Sequence, residues 1–183
     1  PLQYTAWKPM EEREGLKLKI VAPRARFLRA DDLIAAMTPR TRLVSVSLVR
    51  YDDGAMLDAP CIAAACHAQG TLLLLDASQC CGGLPLDVAQ LGADFLTSAG
   101  YKWLLSPYGT GFFWAKSERI ERMRPAPFYW MAAAGAENFA SLNFDDPKPA
   151  PGARRWDRAE TASFFNLAAM EASLEMVLRI GPE

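Results

Sequence analysis

Long apolar runs recur along the chain, separated by mixed segments whose polarity changes every three or four residues. Residues 41–49, TRLVSVSLV, and 71–76, TLLLLD, read as buried strands. Residues 94–114, DFLTSAGYKWLLSPYGTGFFW, read as a strand, a glycine-bearing loop and a second strand. GLKLKIVA, residues 15–22, alternates in the manner of a further strand. Helical signals fall between these runs. Asp31 and Asp32 can cap a short helix, LIAAMT, while Asp58 and Pro60 mark a helix start and Gly70 its end. KSERIERMRPAP is a charged helical stretch stopped by prolines, and residues 132–153 have the Gly, Pro, Asn and Asp content of an extended loop. The last segment, NLAAMEASLEMVLRIG, is helical, with Leu167, Met170, Leu174 and Leu178 near helical spacing as a core stripe.

Strands that are apolar throughout, alternating with helices, imply an α/β fold. The expected architecture is three-layered, a mainly parallel sheet with helices on both faces. Ligands of such sheets gather at the carboxyl ends of the strands. Asp76 and Tyr51 both fall there. Lys102 lies in the loop after the next strand.

Composition narrows the possible functions. The 183 residues suffice for one sizeable core, and 51% of them are hydrophobic. A formal net charge of −1 gives no reason to expect nucleic acid or an anionic membrane as partner. No apolar run approaches the ~20 residues needed to span a bilayer, and no signal peptide is visible, so a cytoplasmic location is expected. The four cysteines, Cys61, Cys66, Cys80 and Cys81, lack CxxC spacing and histidine partners for zinc, and read as free thiols. Cys80 and Cys81 nevertheless lie near the Lys102 loop, where a reactive thiol is conceivable. His67, the one histidine, sits near a helix C-terminus, where it can satisfy terminal carbonyls or face solvent. Arg154 and Arg155 could bind an anion bidentately or simply carry surface charge.

The chemistry of Lys102 and Asp76 suits an aldehyde cofactor. A lysine amine forms an imine with an aldehyde when its surroundings let it lose a proton. A carboxylate facing a pyridine nitrogen keeps that nitrogen protonated, so the ring absorbs the electron pair left by bond breaking at a substrate Cα. Gln79 leaves the same strand end and could reach a phenolic oxygen.

DASQCCGGLPLDVAQLGADFLTSAGYKWLLSPYGTGFFW, residues 76–114, resembles the core of the class V aminotransferases, fold-type-I enzymes that include cysteine desulfurases, kynureninases and isopenicillin-N-epimerase-like proteins. The resemblance extends more loosely from Gly15 to the C-terminus. It implies that pyridoxal 5'-phosphate is the cofactor, Lys102 its Schiff-base lysine, Asp76 the partner of its pyridine nitrogen and Gln79 the neighbour of its phenolic oxygen. Where desulfurases carry Ser-Gly-His-Lys this chain has Ala99-Gly100-Tyr101-Lys102. Tyr101 then takes the place of the histidine phosphate ligand, and Ser98 stands one position from the serine. Tyr51 occupies the place of a residue that approaches the ring oxygen, and Thr161 that of a threonine given to the partner subunit's cofactor phosphate, with Glu160 where glycine is usual.

The resemblance further implies a homodimer acting on an amino acid or related amine by transamination, desulfuration, elimination or epimerisation, with YKW and PYGTGF leaning toward the epimerase-like members. The chain is expected to be an internal, partial large domain, inactive alone, with an N-terminal segment and a C-terminal small domain lying outside it. The rival is a non-catalytic or degenerate α/β binding domain of the same fold. A nucleotide-binding version would carry a GxGxxG turn, which the sequence lacks.

Overall fold

A computed structural model describes residues 2–123, 129–138, 140, 143, 145–157 and 163–182. Four strands form one sheet in the order β1 (Leu43–Ser47), β2 (Leu72–Asp76), β3 (Phe95–Ala99) and β4 (Gly111–Ala115). The first three run parallel and β4 is antiparallel to β3, so the sheet is mainly parallel, as the apolar runs predict.

Between β1 and β2 lies α3 (Ala59–Ala68). Asp58 caps it by accepting a hydrogen bond from the Cys61 N–H at 3.0 Å, with proline in its first turn. Gly70 then turns the chain with φ +73°. α2 (Ala30–Ala36) begins after Arg29, and Asp32 in its first turn accepts from the Arg29 N–H at 3.0 Å and pairs with Arg24. Together with α4 (Val88–Leu91), these helices cover one sheet face. Val44, Val46, Leu73, Leu75 and Leu96 project into that core with Leu48 and Ile62, each side chain contributing about 1.5–3 kcal/mol by leaving water. α1 (Leu2–Glu14) approaches the other face, where the Trp7 indole N–H donates to Ser45 Oγ at 3.2 Å.

The edge of the sheet where β3 begins is tied by one buried carboxylate. Asp94 accepts from the Leu73 N–H at 2.9 Å, from His67 Nε2 at 3.1 Å and from Arg119 Nε at 2.9 Å, the last on α5 (Ser117–Arg122). Burial pushes its carboxyl up, but these hydrogen bonds and the arginine charge outweigh that and hold it below the usual carboxylate range. His67 therefore bonds a side chain from another element rather than its own helix end.

Two sequence expectations fail. Residues 15–22 form no strand, and Leu16 and Ile20 are exposed. Their alternation matches a pleat, but a strand needs a ladder partner, and none of the four strands pairs with them. The stripe on α6 (Phe164–Ile180) is only half a core: Leu167 and Leu178 are exposed, Met170 and Leu174 are half-buried, and Ser173 is the helix's one buried residue among those described. The helix docks along a line that keeps half of that stripe, through Asn166, Met170, Ser173, Leu174 and Val177, none of which is exposed. The expected loop at 132–153 carries short 3-10 turns at Trp130–Ala132 and Gly152–Trp156, with a bridge between Ala133 and Pro149.

Candidate functional site

Because β1, β2 and β3 are parallel, their C-terminal ends share one edge. Tyr51, Asp76, Gln79, Tyr101 and Lys102 all leave the sheet from that edge. Ser47, Asp76 and Thr97 stand side by side across the three strands, on the face opposite the helix-covered core.

Asp76 is half-buried. Its Oδ1 accepts from the Ser78 N–H at 2.9 Å, closing a small turn, and Oδ2 has no partner among the described residues. Ser78, itself buried, accepts from the Ala99 N–H through Oγ at 2.9 Å. The turn that holds the carboxylate thus also holds the start of the Lys102 loop. Sequence reasoning missed Ser78; its signal is a small hydroxyl residue two positions after a strand-ending aspartate.

The Lys102 loop is a hairpin connection between β3 and β4. Gly100 donates to Thr110 O at 2.9 Å and accepts from the Ser106 N–H at 2.9 Å. A Cβ on Gly100 would lie 2.2 Å from Thr110 Oγ1, so only glycine fits. Trp103 packs against the turn after Asp76, where a Cβ at Gly83 would meet its ring at 2.9 Å. The paired glycines at 82 and 83 are therefore the place where the two halves of the site touch, a signal the sequence carried unused.

Lys102 is half-buried, with Nζ 5.8 Å from the centre of the Tyr101 ring. Tyr101 stacks on Tyr108 with centroids 4.7 Å apart. Gln79 is half-buried in the turn after Asp76, and Tyr51 is exposed in a turn whose Arg50 pairs with Asp52 and Asp53. Ser98 is not brought together with these: it faces the helix-covered side, is buried and donates through Oγ to Ala99 O at 3.4 Å. Thr161 and Glu160 lie outside the described residues.

Neither cysteine after the strand is activated. Burial pushes the Cys80 thiol up to about 11, and raises that of Cys81 with partial offset from Ser98. Among the described residues no group of histidine, cysteine and carboxylate side chains could hold a metal ion, and no helix is long and apolar enough to cross a membrane. Arg154 pairs with Glu137 at the surface, whereas Arg155 is largely buried, pairing with Glu121 at 3.0 Å and donating through Nε to Ala150 O at 3.0 Å, so both arginines are engaged within the chain.

The family model described as aminotransferase class-V matches residues 3–182. The chain belongs to the class V aminotransferase family. It is 29% identical to the isopenicillin N epimerase of Streptomyces clavuligerus over 188 aligned residues, covering 100% of this chain and 46% of that protein. It is 35% identical over 114 residues to the cysteine desulfurase IscS of Salmonella paratyphi B, covering 60% of this chain and 28% of that one. Its fold matches a solved C-DES variant that has glycine covalently linked to its PLP cofactor, with TM-score 0.83, 25% identity, and coverage of 97% of this chain and 46% of that one. The chain spans less than half the length of these relatives.

Proposed function

We propose that the protein is a pyridoxal-phosphate-dependent enzyme acting on an amino acid or related amine. The observation that carries this reading is the shared strand edge, where the Asp76 carboxylate and the Lys102 amine leave adjacent parallel strands and are tied together through Ser78. The donor set suits the cofactor: a carboxylate with one oxygen open, an amine in the next loop, and an aromatic residue beside that amine.

Bound there, pyridoxal phosphate supplies an electron sink for the pair released when a bond to a substrate Cα breaks. Lys102 is the attachment point for its aldehyde, and Asp76 Oδ2 holds a proton at its pyridine nitrogen. Ser78 keeps that carboxylate oriented. By the family resemblance, Gln79 would serve the phenolic oxygen, Tyr101 the phosphate, Thr161 the phosphate held by the partner subunit, and Tyr51 the ring oxygen. The Lys102 amine, when free, would be the group placed to move a substrate Cα proton, a role shared by transamination, elimination and epimerisation. The raised thiol pKa values of Cys80 and Cys81 argue against either as a sulfur-accepting nucleophile.

A spectral titration tests this reading in the complete protein. Adding pyridoxal phosphate should produce a saturable visible absorbance of bound cofactor that Lys102→Ala abolishes while leaving the far-ultraviolet dichroism intact. An unchanged absorbance in Lys102→Ala contradicts it.

A further inference from the structure

Helix α6 touches the Lys102 loop through a buried pair of hydroxyls. Ser106 Oγ and Ser173 Oγ are 2.8 Å apart, and both residues are buried. Ser106 Oγ also donates to Leu104 O at 3.1 Å, and Ser173 Oγ lies 3.0 Å from Ala169 O and 2.9 Å from Met170 O. One proton per hydroxyl satisfies the pair in either direction, with the second proton going to a carbonyl of the loop or of the helix. Two turns earlier on the same helix, Asn166 Nδ2 donates to Tyr108 O at 3.3 Å.

The loop needs such a hold. Leu105 has φ 55°, the one non-glycine residue at positive φ among those described, and its side chain is exposed, so no burial compensates the strain. Its N–H donates to Lys102 O at 3.0 Å, which couples the strained residue directly to the Lys102 backbone. Strained backbone persists only where surrounding contacts over-determine it. Gly100 supplies the internal contact by accepting the Ser106 N–H; Ser173 supplies one from outside the loop.

We propose that Ser173 is a positioning residue for Lys102, acting through Ser106 and the strained turn between them. The proposal rests on the assignment of Lys102 made above. Ser173 itself touches neither substrate nor cofactor. It fixes where the amine stands.

Amide hydrogen exchange and cofactor labelling of the complete protein test it together, in Ser173→Ala, Ser106→Ala and the double variant. Exchange in the peptide spanning residues 100–107 should accelerate about five-fold in each single variant, with no further change in the double variant and none in peptides of β1 and β2. Initial rates of borohydride-trapped pyridoxal phosphate at Lys102 should fall in parallel. Exchange unchanged in the loop, or raised equally across the chain, overturns the proposal, because Ser173 would then only support the helix. If Ser173→Ala does not fold, Ser106→Ala probes the same bond from the other side. Absence of Lys102 labelling in the unmodified protein would count against the cofactor reading alone, since the exchange arm decides the hydroxyl bridge without it.

Discussion

Asp76 owes its orientation to one backbone N–H, that of Ser78, and its chemistry to the oxygen left open. Replacing the carboxylate by an amide separates the two. Asp76→Asn preserves an acceptor for Ser78 and should leave the fold and Lys102 labelling intact. It should lower Cα proton exchange of a bound amino acid in deuterated water by about 10²-fold or more, because the pyridine nitrogen loses its anionic partner. Gly100 is governed by space instead. In Gly100→Ala the added methyl meets Thr110 Oγ1 at 2.2 Å, so a loss of about 1–3 kcal/mol in urea unfolding is expected, with slower labelling at Lys102 because the hairpin loop must shift. At this scale the sequence revealed residue types more readily than their supports. Lys102 and Asp76 stood out because each follows an apolar run. Ser78, Ser106 and Ser173 did not, since a serine's role depends on which buried group it meets across 21 or 67 positions of chain. Ser98 shows the converse: one step of strand alternation turns it to the opposite face from Asp76.

Among the elements, Asp94 joins more of them than any apolar contact suggests. It binds β2 through Leu73, α3 through His67 and α5 through Arg119. Asp94→Ala leaves the Leu73 N–H and the arginine without their acceptor, and should cost about 3–5 kcal/mol in denaturant unfolding at pH 7. The pH dependence follows from its lowered pKa. The unfolded state holds the Asp94 proton more tightly than the folded state, so its stabilisation is complete above the unfolded value of about 3.9 and disappears as pH falls through the lower folded value. Urea midpoints measured from pH 7 down to pH 2 should therefore fall less steeply in Asp94→Ala than in the unmodified protein; parallel curves would remove Asp94 as the source. Element boundaries were readable wherever capping and period agreed, as for α3 between Asp58 and Gly70. They were misread where period stood alone. Residues 15–22 alternate without a strand to pair with, and α6 carries apolar residues on more sides than the line through Asn166 and Ser173 can bury.

On the scale of the whole molecule, the parallel strand order was readable because runs such as LLLL at 72–75 are apolar on both faces. What covers each face was not. One side carries α2, α3 and α4; on the other Phe95 and Phe113 stack at 5.8 Å, Phe113 exposed, and α6 leaves Phe164, Phe165 and Leu178 exposed. The homodimer that the family resemblance implies predicts that the complete protein sediments at twice its monomer mass; a monomer at micromolar concentration contradicts it. The complete protein is incubated with pyridoxal phosphate, reduced with borohydride and digested, and pyridoxyl-modified lysines are located by mass spectrometry. Modification concentrated at Lys102 is the predicted result; labelling scattered over other lysines, or none, contradicts a cofactor site at Lys102.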